Sequence, residues 1–244
     1  MAAAPGLVRD PAGRGDLTMQ NTILDGESDV KSDKKTSGFI GEYLKLSSAN
    51  ISDALDVIGV HGAIEGLSTQ VVGKKMCGLA FTARYTVAEA ARGRFADFLD
   101  DIPAGAAVAI DNGGRTDCSV WGDTLSLFAV RRHFAGTIID GVCRDIDGTR
   151  DLGYPMFSKG TFMRTGKGRI GVESTQQPIV LGSVIVRPGD LIFGDDTGAV
   201  AVPGERVEEV LALAHKIVAR DNAFVAAVEK GATIADVWKV APSD

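Results

Sequence analysis

Short apolar runs recur through the middle of this chain, and they limit its fold more than any other feature. We predict strands at residues 71–72, 78–87, 106–110, 136–140, 154–157, 180–186, 191–193 and 199–202. Some of these runs are separated by helix-like stretches and others by tight turns, so the sequence predicts a sheet with both crossover connections and hairpins. Arg187-Pro188-Gly189-Asp190 has proline and glycine at the centre of a type II turn, which predicts a hairpin there.

Two helices have clear sequence signals. Residues 47–59 predict a short helix with a serine or asparagine cap, one apolar side and a terminating glycine, Gly59. Farther along, apolar residues recur at helical spacing from Val207 to Val218, with glutamates early and basic residues late, as the helix dipole favours. Gly231 is the latest residue at which we expect this C-terminal helix to end.

Length and composition indicate one folded domain preceded by an arm. A chain of 244 residues, 45% of them hydrophobic, is long enough for a single domain with a full core. Residues 1–36 are small, polar and charged without periodicity. We therefore predict a flexible N-terminal arm at 1–36 and a single domain at 37–244.

Charge and cysteine usage argue against several classes of function. The 26 basic and 32 acidic residues give a net charge of −6, which argues against a nucleic-acid partner. Cys77, Cys118 and Cys143 lack paired spacing and the chain has three histidines, so we expect no zinc cluster and a reducing compartment. No apolar run approaches the roughly 18 residues that cross a bilayer. These features predict a cytoplasmic protein without a membrane partner.

Arg144 and Asp145 follow a predicted buried strand at residues 136–140. A guanidinium can grip a substrate carboxylate through two hydrogen bonds, and the adjacent carboxylate offers a hard oxygen to a divalent cation. The pair would therefore suit a metal-bound oxo acid. The alternative is a solvated surface pair of little energetic value.

A second candidate is the GDTL segment, residues 122–125, which begins a predicted helix. The free backbone N–H groups of a first helical turn can bind a carboxylate that Arg144 holds from the other side. Asp123 is then a candidate catalytic acid, and the alternative is that it serves only as the N-cap of this helix. Other acidic residues nearby, among them Asp111 and Asp140, are expected to cap, turn or be solvated. The Gly113-Gly114 pair fits a tight turn or a ligand contact equally well.

These motifs together resemble one known family. Asp145 follows Asp123 by 22 residues, and further matches lie at residues 47–59, 77–85 and 186–203. The pattern is similar to that of the 4-hydroxy-4-methyl-2-oxoglutarate and 4-carboxy-4-hydroxy-2-oxoadipate aldolases, a family that includes the regulator of ribonuclease E activity A. The resemblance covers roughly residues 40–230 and implies a layered α/β/β/α sandwich of the swivelling-domain type.

The resemblance also implies an activity and a set of roles. It implies a class II pyruvate aldolase that uses Mg²⁺ or Mn²⁺ to cleave a 4-hydroxy-2-oxo di- or tricarboxylic acid, with oxaloacetate decarboxylation as a side reaction. Asp145 would hold the metal, Arg144 and Asp123 would be catalytic, and Gly122, Asp123, Thr124, Leu125 and Arg144 would bind the oxo acid. Asp123 would move protons through a metal-bound water.

Two further implications concern partners. The resemblance implies a homotrimer or homohexamer with sites at subunit boundaries, to which Asp195 or Asp196 of a neighbour is a candidate contributor. Without a neighbour, the Asp195-Asp196-Thr197-Gly198 segment reads as a hairpin turn. The alternative function is a non-catalytic regulator that binds ribonuclease E or another protein.

Overall fold

Four parallel strands form the centre of the structure. The computed structural model describes residues 38–240 except Arg94, and the backbone alone for residues 238–240, so the predicted arm at 1–36 lies outside the described residues. The central strands, in sheet order, are β3 (Met76–Val87), β4 (Ala107–Ser119), β5 (Gly136–Cys143) and β6 (Met156–Thr161). All eight residues of β5 are buried, as expected for a parallel strand covered on both faces.

Two helices connect these strands and lie next to the sequence motifs. Helix α2 (Asp123–Arg131) joins β4 to β5, and the short helix α3 (Ile146–Asp151) joins β5 to β6. Both connections return the chain to a parallel neighbour, as crossovers do. The GDTL segment and the Arg-Asp pair therefore follow the carboxyl ends of adjacent strands.

Antiparallel strands extend the sheet on both sides. Strands β10 (Leu191–Gly194), β11 (Ala199–Val202) and β1 (Ala63–Ile64) continue it beyond β3, β2 (Ser68–Thr69) pairs with β6, and β7 (Ile170–Thr175) pairs with the far half of β3. A separate hairpin is formed by β8 (Ile179–Leu181) and β9 (Val184–Val186). The sheet is mixed, as the sequence predicted.

The core shows how the layers stack. One apolar cluster joins inward-facing side chains of the central strands to those of β10, β11 and the β8–β9 hairpin, for example Ile138, Phe157 and Ile192. The outer face of β10 and β11 is covered by α1 (Ser48–Val57) and α4 (Val207–Glu229), and the other outer face by α2 and its neighbours. This arrangement confirms the predicted α/β/β/α layering.

The two helices with clear sequence signals are confirmed, as is the helix predicted to begin at the GDTL segment. Ser47 caps α1 in a reciprocal capping box with Asn50, and Gly59 adopts a left-handed backbone just after the helix. Helix α4 ends at Glu229, two residues before the left-handed Gly231. A further helix, α5 (Ile234–Val240), was not predicted. No helix among the described residues is long and apolar enough to cross a membrane.

Several strand predictions were wrong in detail. Residues 71–72 lie in a bend and turn, and the strand predicted at 154–157 begins at Met156. The run at 180–186 is two strands rather than one, because the left-handed Gly182 reverses the chain. Asp190 N–H bonds Arg187 O at 3.1 Å, which fits a turn, but the strands on either side pair elsewhere, so the predicted hairpin is absent.

Candidate functional site

The predicted site residues meet in one cleft on the α2 side of the sheet. The cleft is lined by the whole GDTL segment, 122–125, and by Arg144 and Asp145, together with Ser119, Trp121 and Thr165. Trp121 O accepts a hydrogen bond of 2.9 Å from Arg144 N–H, which ties the chain before α2 to the end of β5. Segments about 20 residues apart in sequence thus form one wall.

Arg144 and Asp145 form an ion pair with each other inside the cleft. Arg144 Nε lies 3.0 Å from Asp145 Oδ2, and the two side chains are 38% and 43% exposed. At that exposure the pair contributes little stability, so a ligand or cation can reorganise it at low cost. Asp145 has a left-handed backbone (φ 50°, ψ 42°) immediately before α3, a conformation that aspartate tolerates better than most residues. The backbone turn directs its carboxylate into the cleft rather than along the strand.

Gly122 makes room for the Asp145 carboxylate. A Cβ atom added to Gly122 would lie 2.8 Å from Asp145 Oδ2 and 3.4 Å from Arg144 Nε. The backbone of Gly122 is extended (φ −144°, ψ −175°), so any residue can adopt it. The requirement for glycine is therefore steric and comes from the site itself.

We expect Gly122→Ala to displace the Asp145 carboxylate and to lower kcat/KM for the proposed reaction by about 10- to 100-fold, because misplacement of about 1 Å has costs of this size. The change in melting temperature should be small. The matched control is Gly41→Ala, where an added Cβ meets no atom within 4 Å. Unchanged activity in the Gly122 variant would show that Asp145 can move without consequence.

Asp123 is the first residue of α2, and Gly122 occupies the N-cap position. Asp123 Oδ1 accepts a hydrogen bond of 2.6 Å from Thr124 N–H. Gly122 rather than Asp123 is therefore the N-cap residue, so the N-cap alternative was wrong by one position. The Asp123 carboxylate still accepts a hydrogen bond at the start of the helix. The bond also occupies the Thr124 N–H, one of the first-turn N–H groups predicted to hold a substrate carboxylate, so that role falls to the Leu125 N–H.

A buried hydroxyl pair supports the cleft from behind. Trp121 Nε1–H donates to Ser126 Oγ at 3.0 Å, and the Ser126 and Thr149 hydroxyls lie 2.9 Å apart. These bonds join the chain before α2, α2 itself and α3. Gly148 permits the close approach, since its added Cβ would lie 2.8 Å from Asp123 Cβ. None of these residues was predicted, because each is recognisable only by its contacts.

A family model described as "RraA-like: Aldolase/RraA" matches residues 48–201, which make up more than half of the chain and contain every cleft residue named above. The chain belongs to this family. Protein DlpA of Legionella pneumophila is 34% identical over 196 residues, which cover 79% of this chain and 32% of DlpA. A Halalkalibacterium halodurans protein named "Putative 4-hydroxy-4-methyl-2-oxoglutarate aldolase" is 32% identical over 76% of this chain and 86% of its own.

Solved structures support the same assignment to the aldolase/RraA family. An uncharacterized protein from Pseudomonas syringae pv. tomato matches with a TM-score of 0.77 at 35% identity, covering 82% of this chain and 96% of that chain. Streptomyces coelicolor RraAS2, described as an unusual member of the RNase ES inhibitor RraA protein family, matches with a TM-score of 0.66 at 26% identity, covering 73% and 92%. This chain spans most of both structures but only about a third of DlpA.

Other acidic residues of this family member have partners of their own. Arg84 Nε lies 3.2 Å from Asp111 Oδ2, and Lys159 Nζ lies 2.9 Å from Asp140 Oδ1, the latter without the angles of a hydrogen bond. Both aspartates are buried. The expectation that they would cap, turn or be solvated holds for Asp111, whose carboxylate accepts a hydrogen bond from Gly113 N–H two residues later. Both carboxylates are also buried against a cation, which offsets the cost of removing their charge from water.

The Gly113-Gly114 pair lies within β4, and both glycines have a left-handed backbone. Gly113 N–H donates to Asp111 Oδ1 at 2.9 Å. Neither glycine is among the residues that line the cleft. The structure thus favours the backbone-turn interpretation over the ligand contact.

The β10–β11 hairpin turn is confirmed by a hydrogen bond of 2.9 Å from Asp195 N–H to Gly198 O. Asp195 is buried, and its carboxylate accepts bonds from Ser48 N–H and Ser48 Oγ–H at 2.8 and 2.7 Å. Burial raises the pKa of Asp195, but the bonds from Ser48, Thr197 and Gly198 outweigh it and lower the pKa below its ordinary value. Asp196 Oδ1 accepts a bond from Gly73 N–H. Both acids are thus engaged within their own chain.

Proposed function

We propose that this protein is a divalent-metal-dependent pyruvate aldolase. Its substrate would be a 4-hydroxy-2-oxo di- or tricarboxylic acid, cleaved to pyruvate and a second oxo acid, with oxaloacetate decarboxylation as a side reaction. The observation that carries the proposal is the meeting of Asp123, Arg144 and Asp145 in one cleft. The aldolase name of the Halalkalibacterium halodurans relative supports the reaction class. We place the enzyme in the cytoplasm, since its three cysteines are free.

The metal proposed for this cleft is Mg²⁺ or Mn²⁺, held by Asp145. The cleft offers carboxylate oxygen and no thiolate or imidazole, which fits a hard cation. Within residues 38–240, with Arg94 excepted, no group of three or more His, Cys, Asp or Glu side chains could hold a metal. Asp145 would therefore share the ion with water and substrate oxygens. When bound, the ion would stabilise the negative charge of the pyruvate enolate.

The protein side chains would divide the remaining work. Arg144 would bind the pyruvyl carboxylate through its planar guanidinium, aided by Leu125 N–H and the positive end of α2. Asp123 would accept the proton of the 4-hydroxyl as the C3–C4 bond breaks. The electron pair of that bond would form the enolate. The same proton would then return to C3 to give pyruvate. Gly122 and Thr124 complete the proposed substrate-binding segment.

The assembly proposed is a homotrimer or homohexamer with shared sites. The cleft residues form one wall, and closed rings supply a second wall through identical heterologous contacts. Because Asp195 and Asp196 are engaged within their own chain, they are weak candidates for the neighbour's contribution. Light scattering combined with activity across dilution tests this proposal, and a fully active monomer at every concentration contradicts it. No nucleic-acid or membrane partner is proposed.

A regulator of a ribonuclease is the second candidate. The similarity to Streptomyces coelicolor RraAS2, a member of the RNase ES inhibitor RraA protein family, favours it. Catalysis and regulation predict different results, because a regulator needs its surface and not its cleft. Binding to purified ribonuclease E in the absence of any pyruvate formation would favour the regulator.

Removal of divalent metal is the direct test of the aldolase. We expect excess chelator to abolish pyruvate release from oxaloacetate and from a panel of 4-hydroxy-2-oxo acids, because Arg144 and backbone dipoles alone cannot stabilise the enolate. Added Mg²⁺ or Mn²⁺ should restore turnover. Undiminished pyruvate formation in excess chelator would exclude the proposed metal mechanism. The protein would then be an aldolase that works without a metal.

A further inference from the structure

The first turns of α2 and α3 are joined by a hydrogen bond between two buried hydroxyls. Ser126 lies four residues after Gly122, the N-cap of α2. Thr149 lies four residues after Asp145, the N-cap of α3. The two hydroxyl oxygens are 2.9 Å apart, and both side chains are fully buried. The bond therefore connects the helices about one turn beyond the residues that would perform the chemistry.

The direction of the bonds around Ser126 follows from its single hydroxyl proton. Ser126 Oγ–H donates to Gly122 O at 3.2 Å, and Ser126 Oγ accepts from Trp121 Nε1–H at 3.0 Å. Thr149 is then the donor in the bond between the helices. Removal of the Thr149 hydroxyl leaves Ser126 with both of its other partners. The change therefore leaves no buried polar atom of Ser126 without a partner, which is the costly outcome of losing a hydrogen bond.

A second bond links the same two parts of the chain. Arg144 N–H donates to Trp121 O at 2.9 Å, where β5 has ended and α3 is about to begin. With this bond alone, α2 could pivot about its attachment to the end of β5. The bond between Ser126 and Thr149 adds a second point of attachment, so together the two fix both the position and the tilt of α2.

The Asp123 side chain lies directly against the backbone of α3. A Cβ atom added to Gly148 would lie 2.8 Å from Asp123 Cβ and 3.1 Å from Asp123 Oδ2. Gly148 immediately precedes Thr149, so the hydroxyl bond holds α3 at the place where Asp123 packs on it. The separation between Asp123 and Asp145 thus depends on how the two helices are joined.

We propose that Thr149 is a positioning residue whose hydroxyl, acting through Ser126, sets the separation between the Asp123 and Asp145 carboxylates. The proposal rests on the proposed function for the roles of these two acids. Neither Ser126 nor Thr149 is among the residues that line the cleft. The bond should matter for proton transfer by Asp123 and little for ground-state binding, because Arg144 and Asp145 stay attached to the end of β5.

Thr149→Val nearly keeps the shape of the side chain and removes its hydroxyl. We expect kcat of pyruvate release to fall about 10-fold while KM and the calorimetric affinity for pyruvate stay within about twofold, as for an interaction needed only in the transition state. Thr149→Ser, which keeps the hydroxyl, should restore kcat. Thr149→Ala should lose as much as the valine variant and guards against crowding by the valine methyl group.

Thr82→Val is the matched control. It removes a buried threonine hydroxyl that donates to Gln177 O at 2.8 Å, away from the cleft lining, so any loss of stability should leave kcat at the wild-type value. A double-mutant cycle adds a second criterion. If Thr149 acts through Asp123, Thr149→Val should lower kcat no further in an enzyme that already carries Asp123→Asn.

Three kinetic results would overturn the proposal. They are unchanged kcat in Thr149→Val, equal losses in the valine and serine variants, and losses that add in the cycle with Asp123→Asn. Each would mean that the hydroxyl of Thr149 does not act through the position of Asp123.

Crystal structures of the variants test the geometry without any activity. In Thr149→Val the carboxyl carbons of Asp123 and Asp145 should lie farther apart than in wild-type protein or Thr149→Ser, by roughly 0.5–1 Å. An unchanged separation overturns the proposal. A longer separation in the valine variant of a protein that releases no pyruvate from any oxo acid supports the role of Thr149 and defeats the proposed function alone.

Discussion

Replacing Asp123 with asparagine is expected to lower kcat of pyruvate release by about 10²- to 10⁴-fold, the contribution typical of a positioned acid-base group. Asparagine has a side-chain oxygen that can accept the bond from Thr124 N–H, now 2.6 Å long, so the start of α2 should be retained. It cannot accept a proton at neutral pH. The measurement is kcat with Mg²⁺ present, together with the melting temperature, which should be nearly unchanged.

The control for this prediction is an exposed aspartate two residues after Asp145. Asp147 is in α3 and its side chain is 95% exposed, so Asp147→Asn removes the same charge without touching the cleft lining. It should keep near-native kcat. If the Asp123→Asn enzyme is active, the role of Asp123 is only to accept the hydrogen bond from Thr124 N–H. Water or another group would then transfer the proton.

Elements with strong local signals could be predicted from the sequence. Strand β5 is buried along its whole length and begins with the apolar run at residues 136–139, while α1 has its cap, apolar side and terminating glycine in one short stretch. Each of these signals lies within the element itself. The prediction therefore did not depend on how the chain folds over larger distances.

One error occurred where a distant partner decides the structure. The turn at residues 187–190 has the right local chemistry, yet β10 pairs with β3 and β11 rather than with β9, so the turn joins two sheets. Long-range pairing outweighs local preference in strands of this length. A second error was local, because the run at 180–186 contains Gly182-Ser183, and the tight turn at these two residues divides it into two strands.

The candidate site shows the same division. Its charged residues were predicted because their chemistry is visible in the sequence, and the structure places them in one cleft. The residues that shape the cleft have ordinary identities. Gly122 matters because Asp145 Oδ2 would lie 2.8 Å from its Cβ, and Ser126 because Trp121 and Thr149 reach it from other segments. Such contacts follow no fixed spacing in the sequence, so the residues that make them could not be predicted from it.

Replacing Arg144 with lysine is expected to lower kcat/KM by about 10²- to 10³-fold, or roughly 3–4 kcal/mol of transition-state stabilisation, as for loss of one preorganised donor. Lysine keeps the charge but offers a compact ammonium in place of a planar fork, so it cannot bind a carboxylate through two parallel bonds. It can still reach Asp145, so the partly exposed ion pair and the melting temperature should change little.

Arg131→Lys is the matched control, because Arg131 is exposed in the last turn of α2 and does not line the cleft. It should retain wild-type kcat/KM. Isothermal titration with pyruvate adds a second readout, since loss of the fork should weaken ground-state binding as well as turnover. An Arg144→Lys enzyme with near-native kcat/KM and pyruvate affinity would mean that the arginine only balances the charge of Asp145. The carboxylate of the substrate would then need another partner.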